Sequence, residues 1–213
     1  MGLTGLGVAS AQAVLGEGRS QEFISLMLYP LGFISIIIGR QQLFTENTLY
    51  PVALILSEHK HVIDTLRLWT IVFLSNIVGA SLFAFLAGKT PALKPEIVER
   101  LTALGMRAVQ GDPWSIFWSG VIGGWMIALM AWIVTASQWT IGQVVVVWVM
   151  TFVVGLGHFA HCIASSGEIL TSVMRGQVAV GHYANWLLFA TMGNICGGVI
   201  FVTVLNFGQV HEA

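Results

Sequence analysis

The sequence predicts an all-α membrane protein: six transmembrane helices in a 3+3 inverted repeat, with the second and fifth helices broken. Three observations carry this. Of the 213 residues, 56% are hydrophobic and only 9% charged, against about 25% charged in an ordinary soluble domain, so most of the surface is not built to face water. Several apolar runs approach the ~20 residues that cross a hydrocarbon core about 30 Å thick. Finally, one offset superposes the polar interruptions of these runs. Gly39 and Gly157 differ by 157 − 39 = 118, as do Leu43 and His161, and as do Ser75 of "SNIVGA" and Gly193 of "GNICGG". Three spans per half is an odd number, so the second half enters the membrane with the opposite orientation, the pattern that points to a transport site at the midplane.

Taken in order, the first apolar stretch, Gly2–Leu15, ends in "GEGRSQE" and is short for a span. The expectation is that the natural chain begins upstream and the sequence starts inside its first helix. The second segment, Phe23–Leu56, is too long for one crossing and holds "GRQQLFTENT" in its middle. Leu66–Leu86 is an uninterrupted third span. A connector over residues 89–111, with prolines at its start and four of the nine Lys/Arg residues, reads as a surface helix. Trp114–Ala136 is the fourth span. The fifth, Gln143–Met174, is broken by "GHFAHCIASS", and His182–Phe207 is the sixth. The whole chain, 1–213, is one transmembrane domain with halves of about 1–88 and 112–207.

Charge and cysteine exclude several classes. A net charge of −1 leaves no basic surplus for nucleic acid and no acidic tail. Cys162 and Cys196 lie in apolar segments and read as small buried hydrophobes. No nucleophile motif or paired carboxylates appear, so the chain does not read as an enzyme, and no cofactor is implied.

Polar, Gly-containing backbone at membrane depth is tolerated only where it is buried in protein or lines a cavity. His158 and His161 sit in such a break, which makes an intramembrane functional site the reading for His161. His158 is read either as part of the path or as a hydrogen-bond partner of the irregular backbone. Asn76 reads as interhelical glue beside small residues. The eight tryptophans read as interfacial or packing residues.

At these breaks the sequence resembles the formate/nitrite transporter family. "PLGFISIIIGRQQLFTENTL" is similar to that family's broken second helix and "GHFAHCIAS" to its broken fifth, while "LWTIVFLSNIVGASL" and "LFATMGNICGGVIF" are similar to its third and sixth. The resemblance implies an aquaporin-like protomer in a homopentamer, each protomer with its own pore for small monovalent anions or their acids (formate, nitrite, hydrosulfide). It places the central histidine at His161, the threonine of the broken second helix at Thr45 after Leu43 and Phe44, and an apolar constriction at Tyr29, Phe33 and Val154. The polar asparagine of the sixth helix falls on Asn194 and a basic vestibule residue on Arg107. The implied setting is a bacterial inner membrane, with cytoplasmic termini.

Physical chemistry agrees with those positions. An anion in a low-dielectric interior needs compensation, whereas its neutral acid crosses far more readily. A histidine titrates near physiological pH, hydroxyl and amide donors replace hydration, half-helix N-termini add positive partial charge, and aromatic rings narrow the path. The chain also departs from the family. Ala160 replaces the acid before the central histidine, Arg40, Gln41 and Gln42 make one break polar with Glu46 close behind, and Glu168 lies in the second half of the fifth segment; either carboxylate would repel anions if it lined the path unpaired. Arg40 and Glu46 are expected either to neutralise one another or to face an aqueous vestibule. Orientation conflicts as well, since Lys60 and Arg67 alone mark the side that the family makes cytoplasmic. Two further readings stay open: an aquaporin-like pore for a neutral solute, and a membrane redox protein in which His158 and His161 ligate a metal.

Overall fold

The computed structural model describes residues 1–16, 18–58 and 62–204. Their regular structure is helical throughout. α1 (Gly2–Leu15) leads to α2 (Arg19–Leu26) and α3 (Leu31–Ile38), then a single 3-10 turn (Glu46–Thr48) and α4 (Tyr50–Glu58). α5 (Val62–Lys89), α6 (Pro95–Ala108) and α7 (Pro113–Ala136) follow, then α8 (Thr140–Leu156), α9 (Ser166–Met174) and α10 (Val180–Cys196), which runs on into a π-helical stretch, Gly197–Val204. His59, Lys60, His61 and the end of the sixth segment at Phe207 lie outside the described residues.

The stretches 19–38, 62–89, 113–136 and 180–202 are long and apolar enough to cross a membrane, and Gly2–Leu15 and Thr140–Leu156 are shorter apolar helices. The 28 residues of α5 span roughly 42 Å at 1.5 Å per residue. Only five of them are buried, and Leu66, Ile71, Leu74, Val78, Leu82 and Phe85 point outward. A helix this apolar on its outer face suits lipid or a neighbouring chain, not water. The connector is different in kind. α6 starts with Pro95 and Glu96, ends near Arg107, and buries Val98, Leu101, Thr102 and Gly105 at helical spacing.

The packing brings the breaks together. α7 lies along α10, α9 sits between α5 and α6, and α3 packs against α8. The α7–α10 crossing is close because Gly120 and Gly124 face Gly193 and Gly197, and a Cβ on any of them would run into backbone of the partner helix. The second segment carries an interruption that the sequence reading did not place, a turn at residues 27–30 between α2 and α3. Pro30 supplies its cause: it has no N–H to give to Leu26 O and its ring crowds that carbonyl, so the chain closes here with tighter bonds from Tyr29 N–H to Leu26 O (3.0 Å) and from Leu31 N–H to Leu28 O (3.1 Å).

Candidate functional site

Both polar breaks begin in the same way. At the end of α3, Gln41 N–H donates to Ile36 O (2.9 Å) and Arg40 N–H to Ile37 O (3.1 Å). At the end of α8, Phe159 N–H donates to Val154 O (3.0 Å) and His158 N–H to Gly155 O (3.1 Å). These are Schellman caps, whose C′ residue is left-handed and usually glycine. Here that place is taken by Arg40 (φ 52°) and His158 (φ 50°), each one residue past the glycine that the sequence marks and 158 − 40 = 118 apart.

Two asparagines then hold the unwound strands. Asn194 on α10 accepts from Cys162 N–H (2.8 Å) and donates from Nδ2 to Ala160 O and Gly120 O (2.8 Å each). Asn76 on α5 accepts from Phe44 N–H (3.0 Å) and donates to Gln42 O (3.1 Å). Backbone at this depth has no water to satisfy it, so the side-chain amides replace the missing helical partners. Both Nδ2 hydrogens of Asn194 are used in this way, so its role is to fix the break, not to donate to a solute.

His161 is fully buried between the two strands. Its Nδ1 accepts from Ala164 N–H (3.0 Å) and Ile163 N–H (3.3 Å), and Nε2 lies 2.8 Å from Thr45 Oγ1. Since Nδ1 acts as acceptor, the ring proton sits on Nε2 and is donated to Thr45. The imidazole is therefore a neutral donor, held through both nitrogens. Phe33 stands edge-on to it at 5.2 Å between ring centres, and Tyr29 lies 5.8 Å beyond Phe33. Phe33, Leu43, Thr45 and Val154 are completely buried and Tyr29 nearly so, so an apolar plug closes His161 off from one side.

Above that plug lies a cavity of about 420 Å³ that reaches Tyr29, Val154, His158, Arg107, Glu22 and Glu168. Arg107 Nη1 and Glu22 Oε1 form an ion pair at 2.6 Å, and His158 Nε2 is 3.5 Å from the same oxygen. Glu168, on the first turn of α9, is only 8% exposed. In the other break Arg40 is exposed and makes no ion pair with Glu46 among the described residues. Glu46 Oε2 is buried without a hydrogen-bond partner.

The structure thus gathers His161, Thr45, Phe33, Tyr29 and Val154 at one place, with Leu43 buried in the same core, and puts His158 and Arg107 on the cavity wall. It separates the two histidines. Residues 158–165 are not helical, so the pair presents no shared helix face for a metal, and among the described residues no cluster of three His, Cys, Asp or Glu could hold one. Sequence reading missed the part played by Asn76, although the offset of 118 that relates it to Asn194 contained the signal. Glu22 and Ser119, whose Oγ accepts from Ala160 N–H at 2.9 Å, carried no local signal.

Comparison with known proteins identifies the family and the fold. The formate/nitrite transporter family matches over residues 1–208. The chain is 32% identical over 190 residues to the inner membrane protein YfdC of Escherichia coli (strain K12), covering 86% of this chain and 60% of that protein. It is 29% identical over 195 residues to a probable formate transporter of Methanothermobacter thermautotrophicus, covering 84% and 71%. Among solved structures it superposes on a pentameric formate channel with formate bound at a TM-score of 0.80 and 19% identity, over 100% of this chain and 94% of that one, a likeness of fold. The chain belongs to the formate/nitrite transporter family.

Proposed function

We propose that the chain is one protomer of a membrane pore, a channel or proton-coupled transporter, for small monovalent anions and their conjugate acids, with formate, nitrite or hydrosulfide as the size class. The path runs from the cavity, between Tyr29, Phe33 and Val154, to the His161–Thr45 pair. The protomer has six spans in a 3+3 inverted arrangement, sits with four copies in a pentamer, and lies in a bacterial inner membrane with its termini in the cytoplasm. Membership of a family of channels and transporters supports the class, and the likeness to a probable formate transporter and to a pentameric formate channel supports the cargo and the assembly.

The observation that carries the reading is the His161–Thr45 hydrogen bond inside two broken helices, behind an aromatic plug. The Thr45 hydroxyl, accepting from the neutral imidazole, keeps its own O–H to offer to a small oxyacid without fixing a charge in the membrane. The same neutrality, with Glu46 and Glu168 near the path, supports a second reading in which the cargo is a neutral solute. Flux in proteoliposomes decides. Formate, nitrite, hydrosulfide and acetate are compared with glycerol and water by stopped-flow light scattering. Fast uptake of the weak acids is the expected result, and glycerol uptake alone replaces this reading with the second.

A further inference from the structure

Glu168 is the group for which the site described so far has no use. Its carboxyl is buried, borders the cavity just above Tyr29, and takes part in no hydrogen bond or ion pair among the described residues. The fold makes room for it. α1 passes so close that a Cβ on Gly5 would stand 2.6 Å from Oε1, and Gly105 lets α6 come down on the Glu168 backbone. Neither glycine leaves space for a larger residue, so α1 and α6 close over the carboxyl and aim it at the cavity.

The groups that face it are few. From the α2–α3 turn comes Tyr29, whose ring bounds the cavity floor, and from α2 Glu22 at the rim. From α6, which also carries Glu96, Glu99 and Arg100, Arg107 is the charged residue that lines the cavity, beside Leu104 and Ala108, and there it is already paired with Glu22. From the break comes His158, beside the same Glu22 oxygen. α5 packs against α9 through Phe83 and Gly88 and carries Asp64, Arg67 and Lys89 only near its ends. α10 contributes Trp186. α1 carries, besides Gly5, the half-buried amino group of Met1 at its start, where Gly2 meets Gly167, and no ion pair joins Glu168 to any of these groups among the described residues.

An isolated carboxylate in such surroundings is unfavourable and would repel an arriving anion. A carboxyl that keeps its proton has neither defect, because it presents an O–H donor to the cavity. His161 cannot take this part. Its one proton is given to Thr45, its other nitrogen is filled by backbone N–H groups, and the aromatic plug separates it from the cavity.

We propose that Glu168 is the proton donor of the cavity, giving its proton to a small monovalent oxyanion that then passes the aromatic plug as the neutral acid. The O–H bond of the Glu168 carboxyl breaks, an O–H bond forms on the anion, and the carboxylate left behind regains a proton from water at the cavity mouth. One proton accompanies each anion, and no electron moves. This deepens the pore reading above and rests on it.

The test is the pH profile of formate uptake into proteoliposomes holding the full chain, wild type against Glu168→Gln and Glu168→Asp. The share of formate present as neutral acid falls about tenfold for each pH unit above its own pKa. A pore fed by a bound donor falls less steeply than that. The wild type and Glu168→Asp are expected to show the shallow profile, and Glu168→Gln, which keeps an N–H donor but has no proton to give, the tenfold slope. A Glu168→Gln profile parallel to wild type overturns the proposal. A wild type that takes up no weak acid overturns the pore reading and the proposal with it. Should Glu168→Gln not fold, infrared difference spectroscopy on a Glu46→Gln protein is the measurement. The carbonyl band of a protonated carboxylic acid is expected to diminish when formate is added at fixed pH and not when glycerol is, and an unchanged band overturns the assignment.

Discussion

Asn76 and Asn194, 194 − 76 = 118 residues apart, make the same two hydrogen bonds to the two breaks: each accepts the amide of one strand residue and donates to the carbonyl two residues before it. The strand residues obey the same offset, Phe44 with Cys162 and Gln42 with Ala160. One solution to the problem of unwound backbone inside a membrane has therefore been used twice, and His161 in one strand answers to Leu43 in the other.

Removing the clamp tests its weight. Asn194→Ala leaves Cys162 N–H and Ala160 C=O without their partner, at about 1–3 kcal/mol for each buried group. A clearly lower unfolding midpoint in detergent is expected. Asn76→Ala is expected to cost less, because Asn76 is half-buried where Asn194 is fully buried, and makes two hydrogen bonds where Asn194 makes three.

The histidine tautomer is a direct consequence of the geometry. Nitrogen NMR on histidine-labelled protein at neutral pH is expected to show His161 protonated at Nε2 and bare at Nδ1. Thr45→Val removes the acceptor of that proton in a fully buried place, with an expected loss of about 1–3 kcal/mol. Thr45→Ser, which keeps the hydroxyl, is expected to restore most of it.

How far the sequence foretold this is itself informative. Glycine and polar residues interrupting apolar runs located both breaks, prolines framed α6, and the offset of 118 tied the halves together, all of which are local or periodic signals. The turn at residues 27–30 was missed because the apolar run continues through Pro30. The left-handed residues were not legible, since a Schellman cap normally puts glycine where Arg40 and His158 stand. The Glu22–Arg107 pair joins residues 85 apart, and the cavity exists only once α2, α6 and α9 have packed.

The left-handed cap gives a stabilising variant. Arg40→Gly removes a backbone cost of roughly 1–2 kcal/mol, partly offset by the greater freedom of glycine in the unfolded chain. Arg40 is exposed and makes no ion pair among the described residues, so a modest rise in melting temperature with flux retained is expected.

The start of α7 gives a pH-dependent one. Asp112 caps it, accepting from Trp114 N–H (3.0 Å), Ser115 N–H (3.1 Å) and Ser115 Oγ–H (2.5 Å). These hydrogen bonds, the Ser115 hydroxyl first, hold the carboxyl below its usual range. A depressed folded-state pKa means that the contribution is present above the unfolded value of about 3.9 and disappears as pH falls through the folded one. Asp112→Ala is expected to melt below wild type at neutral pH, with the gap closing under strongly acid conditions, while Asp112→Asn keeps most of the cap.

Arg107 and Glu22 are both substantially exposed, so their pair adds at most about 1 kcal/mol to stability. Its effect belongs to the cavity field. Arg107→Gln is expected to leave the melting temperature nearly unchanged and to slow anion uptake more at low ionic strength than at high.

The central claim is that solutes pass the His161–Thr45 pair. The most direct measurement compares formate and nitrite uptake into proteoliposomes by the wild type and by His161→Ala at two pH values, with the assembly of each confirmed in detergent. Weak-acid flux well above that of empty liposomes is expected for the wild type, and its collapse at both pH values in the variant. Unchanged flux in a correctly assembled His161→Ala protein would contradict it and move the path away from the two breaks.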